Sequence, residues 1–198
     1  KEGETKSLDK LLEIAALCNG AKIDPPTDRN KNWSVIGDPT DGALLVAALK
    51  YGQSIEELIE EKPTIDILPF SFERKRMSTI HTLNDKVLIY TKGAPRNILD
   101  ICNKVFVEGQ IDDLNQENMN WIETRIHKFA NEGLRVIAFA YKQIPKSDYK
   151  KDEETEKDLI FVGLAGMRDP PRKEVKNAVQ KAKQAGIKTV IITGDYGP

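Results

Sequence analysis

The sequence predicts an α+β fold, an antiparallel sheet flanked by helices, followed by a C-terminal β-α-β fragment of a Rossmann-like domain. Three observations predict it. Before Lys62, apolar residues recur at helical spacing between strong start and stop signals. From Thr64 the period changes to strands, two of them joined by an Asn84-Asp85 turn. The last section, Leu159 to Leu164, a helix over about Arg172 to Ala185 and the apolar run Ile187 to Ile192, reads as β-α-β. Its last run has the near-continuous apolar character of a strand covered on both faces.

Taken in order, Ser7 followed by Leu8, Leu11, Leu12, Ala15 and Ala16 reads as a capped amphipathic helix that closes near Asn19-Gly20. Asp24 to Asn32, with Pro25-Pro26 inside it, reads as loop. Asp38-Pro39-Thr40-Asp41 is a strong helix start, combining a carboxylate cap, Pro at the first helical position and an acid in the first turn. That helix runs to Gly52, and a short one over Ser54 to Glu61 ends before Pro63. Thr64 to Phe70, Met77 to Leu83 and Lys86 to Thr91 read as strands. Ala94-Pro95 opens a helix, Val105 to Val107 is a short strand, and Met119, Ile122, Ile126 and Phe129 share a helical face closed by Asn131-Glu132-Gly133. Leu134 to Tyr141 is a further strand, and Lys146 to Asp158 reads as a charged, solvated linker. No internal repeat or low-complexity segment is visible.

Composition removes several classes of function. The 198 residues carry 30 Lys+Arg against 31 Asp+Glu, so no basic stripe argues for nucleic acid. Apolar stretches such as Gly42 to Leu49 fall far short of the roughly 20 residues that span a bilayer. Cys18 and Cys102 have neither metal-ligand spacing nor a disulfide framework, which suits a reducing compartment. No phosphate-binding P-loop, dinucleotide fingerprint or His/Cys/carboxylate cluster is present. His81 and His127 are isolated and read as structural or surface histidines. The start at Lys1 and the stop at Pro198, just after an apolar strand, read as a segment of a longer protein.

The chemistry concentrates in a few short stretches. In Pro69-Phe70-Ser71-Phe72-Glu73-Arg74-Lys75-Arg76-Met77-Ser78 an aromatic ends one strand and a cationic cluster precedes the next. Such a corner can stack a planar base on Phe70 while Lys75 meets phosphate; equally, it is a core aromatic beside an exposed basic turn. In Thr91-Lys92-Gly93-Ala94-Pro95, Gly93 permits close backbone approach and the following helix start supplies free amides. Arg135 adds a cation at the start of another strand. Asp41 can accept a hydrogen bond from an exocyclic amine, although its place in the first turn of a helix already explains it.

These pieces in this order, with Asp38-Pro39-Thr40-Asp41-Gly42-Ala43-Leu44 and Gly133-Leu134-Arg135, resemble the nucleotide-binding domain of P-type cation-transporting ATPases. Gly166-Met167-Arg168-Asp169-Pro170-Pro171-Arg172 and Thr193-Gly194-Asp195 resemble that family's return into the phosphorylation domain. The likeness is to calcium pumps of the sarcoplasmic-reticulum type and their bacterial forms, and covers about Leu11 to Asp195. It implies residues 1–166 as nucleotide-binding domain and 167–198 as part of a phosphorylation domain. By position, Phe70 matches the aromatic that stacks on adenine, Lys92 a lysine deep in the pocket, and Asp41 an acid bonding the adenine amine. Asp41 is shorter than the Glu of the animal pumps. Lys75 and Gly93 match pocket positions, and Arg135 an arginine reaching the phosphates. Asp169 and Arg172 match the hinge between the domains, while Thr193 and Asp195 border the phosphorylated aspartate.

Two departures stand out. Phe72 stands where the animal calcium pumps carry an arginine that helps hold phosphate, so phosphate contact is expected either to be weaker here or to rest on Arg74 or Arg135. The Asp-Lys-Thr-Gly-Thr nucleophile motif occurs nowhere in the 198 residues, so the chain is expected to bind adenine nucleotide without forming an aspartyl phosphate. The resemblance further implies ATP as substrate, Mg2+ in the full enzyme, and the cytoplasmic face of a membrane. Its expected partners are the phosphorylation, actuator and membrane domains, and the fragment is expected to be monomeric. Two alternatives remain at this level: a stand-alone adenine-nucleotide module, and a soluble phosphatase of the haloacid-dehalogenase type. The latter needs an Asp-x-Asp strand upstream, and none precedes Thr193.

Overall fold

The computed structural model describes residues 2–26, 28, 31–151, 153–169, 172 and 174–190. Helix α1 (Glu2–Leu17) begins before Ser7, which therefore lies inside the helix instead of capping it; among the described residues its hydroxyl oxygen is buried without a partner. Strands β1 (Lys22–Asp24) and β2 (Ser34–Ile36) pair antiparallel and bracket the expected loop. Helix α2 (Pro39–Tyr51) starts where the cap signal puts it: the Asp38 carboxylate accepts from the N–H groups of Thr40 at 2.8 Å and Asp41 at 3.3 Å. It stops at Gly52, whose φ of 102° favours a residue without a Cβ. Helix α3 (Ile55–Glu61) follows its Ser54 cap.

Next come β3 (Thr64–Leu68), β4 (Arg76–Leu83), β5 (Lys86–Gly93), α4 (Pro95–Leu99), β6 (Cys102–Val107) and β7 (Gln110–Asp113). The chain continues through α5 (Gln116–Asn131), β8 (Arg135–Pro145), β9 (Leu159–Met167) and α6 (Val175–Gln184). One seven-stranded sheet takes the order β3-β4-β5-β8-β9-β6-β7, with every pair antiparallel except β6 and β9. The fold is therefore the α+β arrangement of helices on a mostly antiparallel sheet.

Strand alternation separates two cores. Leu88, Tyr90, Phe139 and Tyr141 point to α1 and α2, where they meet Ile14, Cys18 and Leu44. Ala138, Ala140, Leu159 and Phe161 point the other way, onto Ile98 and Leu99 of α4 and Ile122 of α5. In β9 the register shifts opposite Phe139 and Ala140, which returns Leu164 to the face of Leu159 and Phe161. Gly163 sits at that shift, and a Cβ there would lie 2.8 Å from the Leu11 side chain of α1.

Two expectations are corrected. Leu159 to Leu164 is no part of a C-terminal β-α-β series: it lies inside the large sheet, antiparallel to β8 and parallel to β6. An apolar run marks a buried strand but not its partners, and here both neighbours precede it in the chain. Residues 187–190 form no strand, and 191–192 lie outside the described residues. The expected solvated linker is instead folded into two short 3-10 turns, Lys146–Asp148 and Glu153–Glu156, and buries Thr155 and Glu156.

The sheet register also assembles one end of the molecule. Arg76 of β4 pairs with Gly93 of β5, Gly93 with Ala138 of β8, and Arg135 with Met167 of β9. The start of β4, the end of β5 and the start of β8 thus lie side by side, next to the first turn of α2.

Candidate functional site

A cavity of about 530 Å³ opens at that end of the sheet. Asp41, Phe70, Lys75, Lys92, Gly93 and Arg135 all line it, so residues from four separate stretches of sequence meet at one place. Thr40, Phe72, Met77 and Ile137 complete most of its wall.

Its floor is an ion pair. Lys92 sends its ammonium from β5 to the Asp41 carboxylate of α2, with side chains only 6% and 14% exposed. The other Asp41 oxygen accepts from the Gly20 N–H at 2.9 Å, and the Asn19 amide donates to the Asp41 carbonyl at 2.9 Å. The end of α1 therefore fixes the start of α2, and with it the acid of the pair. Neither charge is left alone, which a buried pair requires. The Cys18 thiol lies beneath this floor and is pushed up to about 11, by burial above all, so it is an inert core thiol.

One side of the cavity is an aromatic arm, the loop from β3 to β4. Phe70 is 53% exposed and meets Phe72 edge-on, with centroids 5.6 Å apart. Phe70 thus keeps a face free to stack, and it is not the core aromatic that the sequence also allowed. Lys75 ends the arm in the left-handed region, at φ 52°. Its carbonyl accepts from the Ala94 N–H at 2.9 Å, which draws the arm against the exit of β5. Gly93 is required here: a Cβ would lie 2.5 Å from the Lys75 carbonyl oxygen and 2.6 Å from the Arg76 Cβ. The close backbone approach expected at Gly93 is therefore that of β4.

The mouth carries exposed cations, Lys75 and Arg135. The Arg135 guanidinium donates to the Thr40 hydroxyl at 3.4 Å. Hydrogen bonding from the Thr40 side chain above all, together with the charge of Arg135, holds the Asp38 carboxyl below its usual range.

The residue that sequence reasoning missed is Glu156. It is 3% exposed and takes Arg74 in two-pronged fashion at 2.8 and 2.7 Å, Arg76 at 2.8 Å and the Ser78 hydroxyl at 2.7 Å. Burial opposes its charge, but these donors outweigh it and hold its carboxyl below the ordinary 4.5. Arg74 is accordingly committed to Glu156 and to the Pro69 carbonyl, and is not the free phosphate ligand that the sequence allowed. The one available signal was the cluster Arg74, Lys75 and Arg76, three cations with a single acid, Glu73, beside them.

Other expected residues fall elsewhere. Asp169 and Arg172 are exposed and lie outside the helices and strands; Asp169 follows closely on β9, whose Met167 pairs with Arg135. Thr193 and Asp195 lie outside the described residues. His81 is wholly buried, bonded to the Lys62 carbonyl at 2.9 Å and the Thr79 hydroxyl at 2.8 Å, and is structural; His127 is exposed on α5. Among the described residues, no group of three His, Cys, Asp or Glu could hold a metal, and no helix is long and apolar enough to cross a membrane. A larger cavity of about 650 Å³, by Phe106, Trp121 and Leu164, has a mostly apolar wall without a buried ion pair.

Chemically, the first cavity offers an aromatic face, a neutralised donor-acceptor pair at its floor, and cations at its rim. A flat heteroaromatic ring suits the interior, and an anionic tail suits the mouth.

Residues 7–174 match the family model described as P-type ATPase, cytoplasmic domain N. The chain is 41% identical over 186 residues to Calcium-transporting ATPase 1 of Bacillus cereus, covering 94% of this chain and 20% of that protein. It is 39% identical over 194 residues to the Calcium-transporting ATPase of Bacillus subtilis, covering 98% and 22%. A calcium-transporting ATPase of Listeria monocytogenes is 36% identical over 195 residues, covering 98% and 21%. The chain spans about a fifth of the length of the curated relatives it matches.

Proposed function

The chain belongs to the P-type ATPase cytoplasmic N domain family, and we propose that it holds ATP by its adenine base and delivers it to an aspartate in a neighbouring domain. The whole protein is read as a cation pump, with calcium as its ion, and this chain as lying on the cytoplasmic face of the membrane. The observation that carries the reading is the Lys92–Asp41 pair sharing one cavity with the half-exposed Phe70 ring. Adenine stacks on Phe70, gives its exocyclic amine to the free acceptor capacity of Asp41, and takes a ring-nitrogen bond from Lys92. Guanine presents a carbonyl where adenine has an amine, and so meets the carboxylate with the wrong partner.

Lys75 and Arg135 meet the phosphates at the rim. Both are exposed, so the phosphate chain is steered and not enclosed, as delivery to another domain requires. Residues 1–166 are read as the nucleotide-binding domain and 167–198 as part of the phosphorylation domain, joined by a hinge at Asp169 and Arg172. The 198 residues contain no Asp-Lys-Thr-Gly-Thr, so phosphoryl transfer is assigned to the rest of the pump, and with it the actuator and membrane domains as partners. Among the described residues no group of three or more His, Cys, Asp and Glu could hold a metal ion, and Mg2+ is assigned, with phosphoryl transfer, to the rest of the pump.

Titration of the isotope-labelled chain with AMP, ADP, ATP and GTP, with and without Mg2+, tests this. The three adenine nucleotides should bind within about tenfold of one another, because the base supplies most of the contact, and Mg2+ should change little. GTP should bind far more weakly. Tight, strictly Mg2+-dependent ATP binding without AMP binding would overturn the reading.

A further inference from the structure

Resting on the base-binding reading above, we propose that Glu156 is the positioning residue of the site: through Arg74 and Arg76 it holds the arm from Pro69 to Lys75 in the shape that turns Phe70 into the cavity. The arm is not held by packing. Phe70 and Phe72 are 53% and 87% exposed, and neither joins a hydrophobic cluster of the core. Its shape comes from polar bonds. The Lys75 N–H donates to the Ser71 carbonyl at 2.8 Å and the Arg74 N–H to the Ser71 hydroxyl at 3.2 Å. The Arg74 guanidinium reaches back to the Pro69 carbonyl, one residue before Phe70.

That guanidinium is aimed by Glu156, which grips it with both carboxylate oxygens across 82 positions of sequence. The same carboxylate takes Arg76 and Ser78 of β4, and Ser78 bonds Thr91 of β5 at 2.8 Å, one residue before Lys92. One buried acid thus ties the aromatic arm to the strand that carries the floor lysine. Its donors Arg74, Arg76 and Ser78 come from the arm and β4. Without it, each binding event would have to order the arm, and affinity would fall by that cost.

The test uses Glu156→Gln, which keeps the side chain's size but not its charge, and Arg74→Ala, which cuts the link to Pro69. Each should bind AMP about tenfold more weakly, the effect of losing a charged hydrogen bond. Each should also show new fast motion in the amides of residues 70–75, while those of Gly20, Asp41 and Lys92 keep their positions. The double variant should bind no more weakly than the weaker single one. Unchanged AMP affinity with a rigid arm in both variants, or losses that add in the double variant, would overturn the proposal. Should Glu156→Gln fail to fold, Arg74→Ala decides by the same two measurements. If wild type binds AMP, Phe70→Ala does not, and the Glu156 and Arg74 variants bind normally, only this proposal fails. If wild type binds no adenine nucleotide, the reading beneath it fails and takes the proposal with it.

Discussion

Replacing Gly93 by Ala should damage both the fold and the site, for a reason that the geometry makes quantitative. The new Cβ would stand 2.5 Å from the Lys75 carbonyl oxygen, 2.6 Å from the Arg76 Cβ and 2.8 Å from the Arg76 Cα. Two of these atoms are backbone, so no flexible side-chain end can yield; β4 and the arm it carries must move instead. Overpacking of this kind costs about 1–3 kcal/mol, and the backbone contacts put this case near the upper figure. For a chain of this size each kcal/mol lowers the melting temperature by roughly 2–4 °C, so a drop of roughly 6–12 °C is expected. Because the displaced atoms belong to Lys75 and Arg76, AMP affinity should fall as well. Gly52→Ala is the matched control. Gly52 has φ 102° and nothing within 4 Å of its added Cβ, so it suffers backbone strain alone. It should lose about 1–2 kcal/mol of stability and no nucleotide affinity. Thermal melts and AMP titrations of both variants decide the matter. A Gly93→Ala chain that melts within about 1 °C of wild type and binds AMP equally would refute the reasoning.

Two further outcomes follow from buried groups. His81 is held below its ordinary value of 6.5, mainly by burial, so it is neutral in the fold. The unfolded chain takes up its proton first as pH falls; stability should be level above 6.5 and decline below it, and His81→Gln should flatten that slope in denaturation curves. Glu156 extends the loss at lower pH, because its stabilisation disappears as pH falls through its depressed folded value, below 4.5. Cys18 and Cys102 are raised to about 11 and about 12 by burial, so neither should react with iodoacetamide at neutral pH until denaturant is added; rapid native labelling would contradict this.

Local rules located much of this molecule, and their failures are physical. Asp38-Pro39 and Asn84-Asp85 act within a few residues, so the helix start and the hairpin turn lie where the sequence puts them. Asp41, Phe70, Lys75, Lys92, Gly93 and Arg135 were identifiable one stretch at a time, but the Lys92–Asp41 pair spans 51 positions, and no local pattern announces it. The strand around Phe161 was legible as apolar, yet its pairing with β8 on one side and β6 on the other depends on the whole sheet. Glu156 was hidden most completely. It sits in a highly charged stretch that reads as solvent-facing, and only its donors 78 to 82 positions away give it a buried role.

The proposed base-binding site is tested most directly by mapping AMP onto the amide spectrum of wild type, Phe70→Ala and Lys92→Ala. The predicted result is a saturable set of shifts in wild type centred on Asp41, Phe70, Lys75, Lys92 and Gly93, abolished in both variants while the rest of each spectrum stays folded. Undiminished binding in both variants, or shifts centred on the cavity by Trp121, would contradict it.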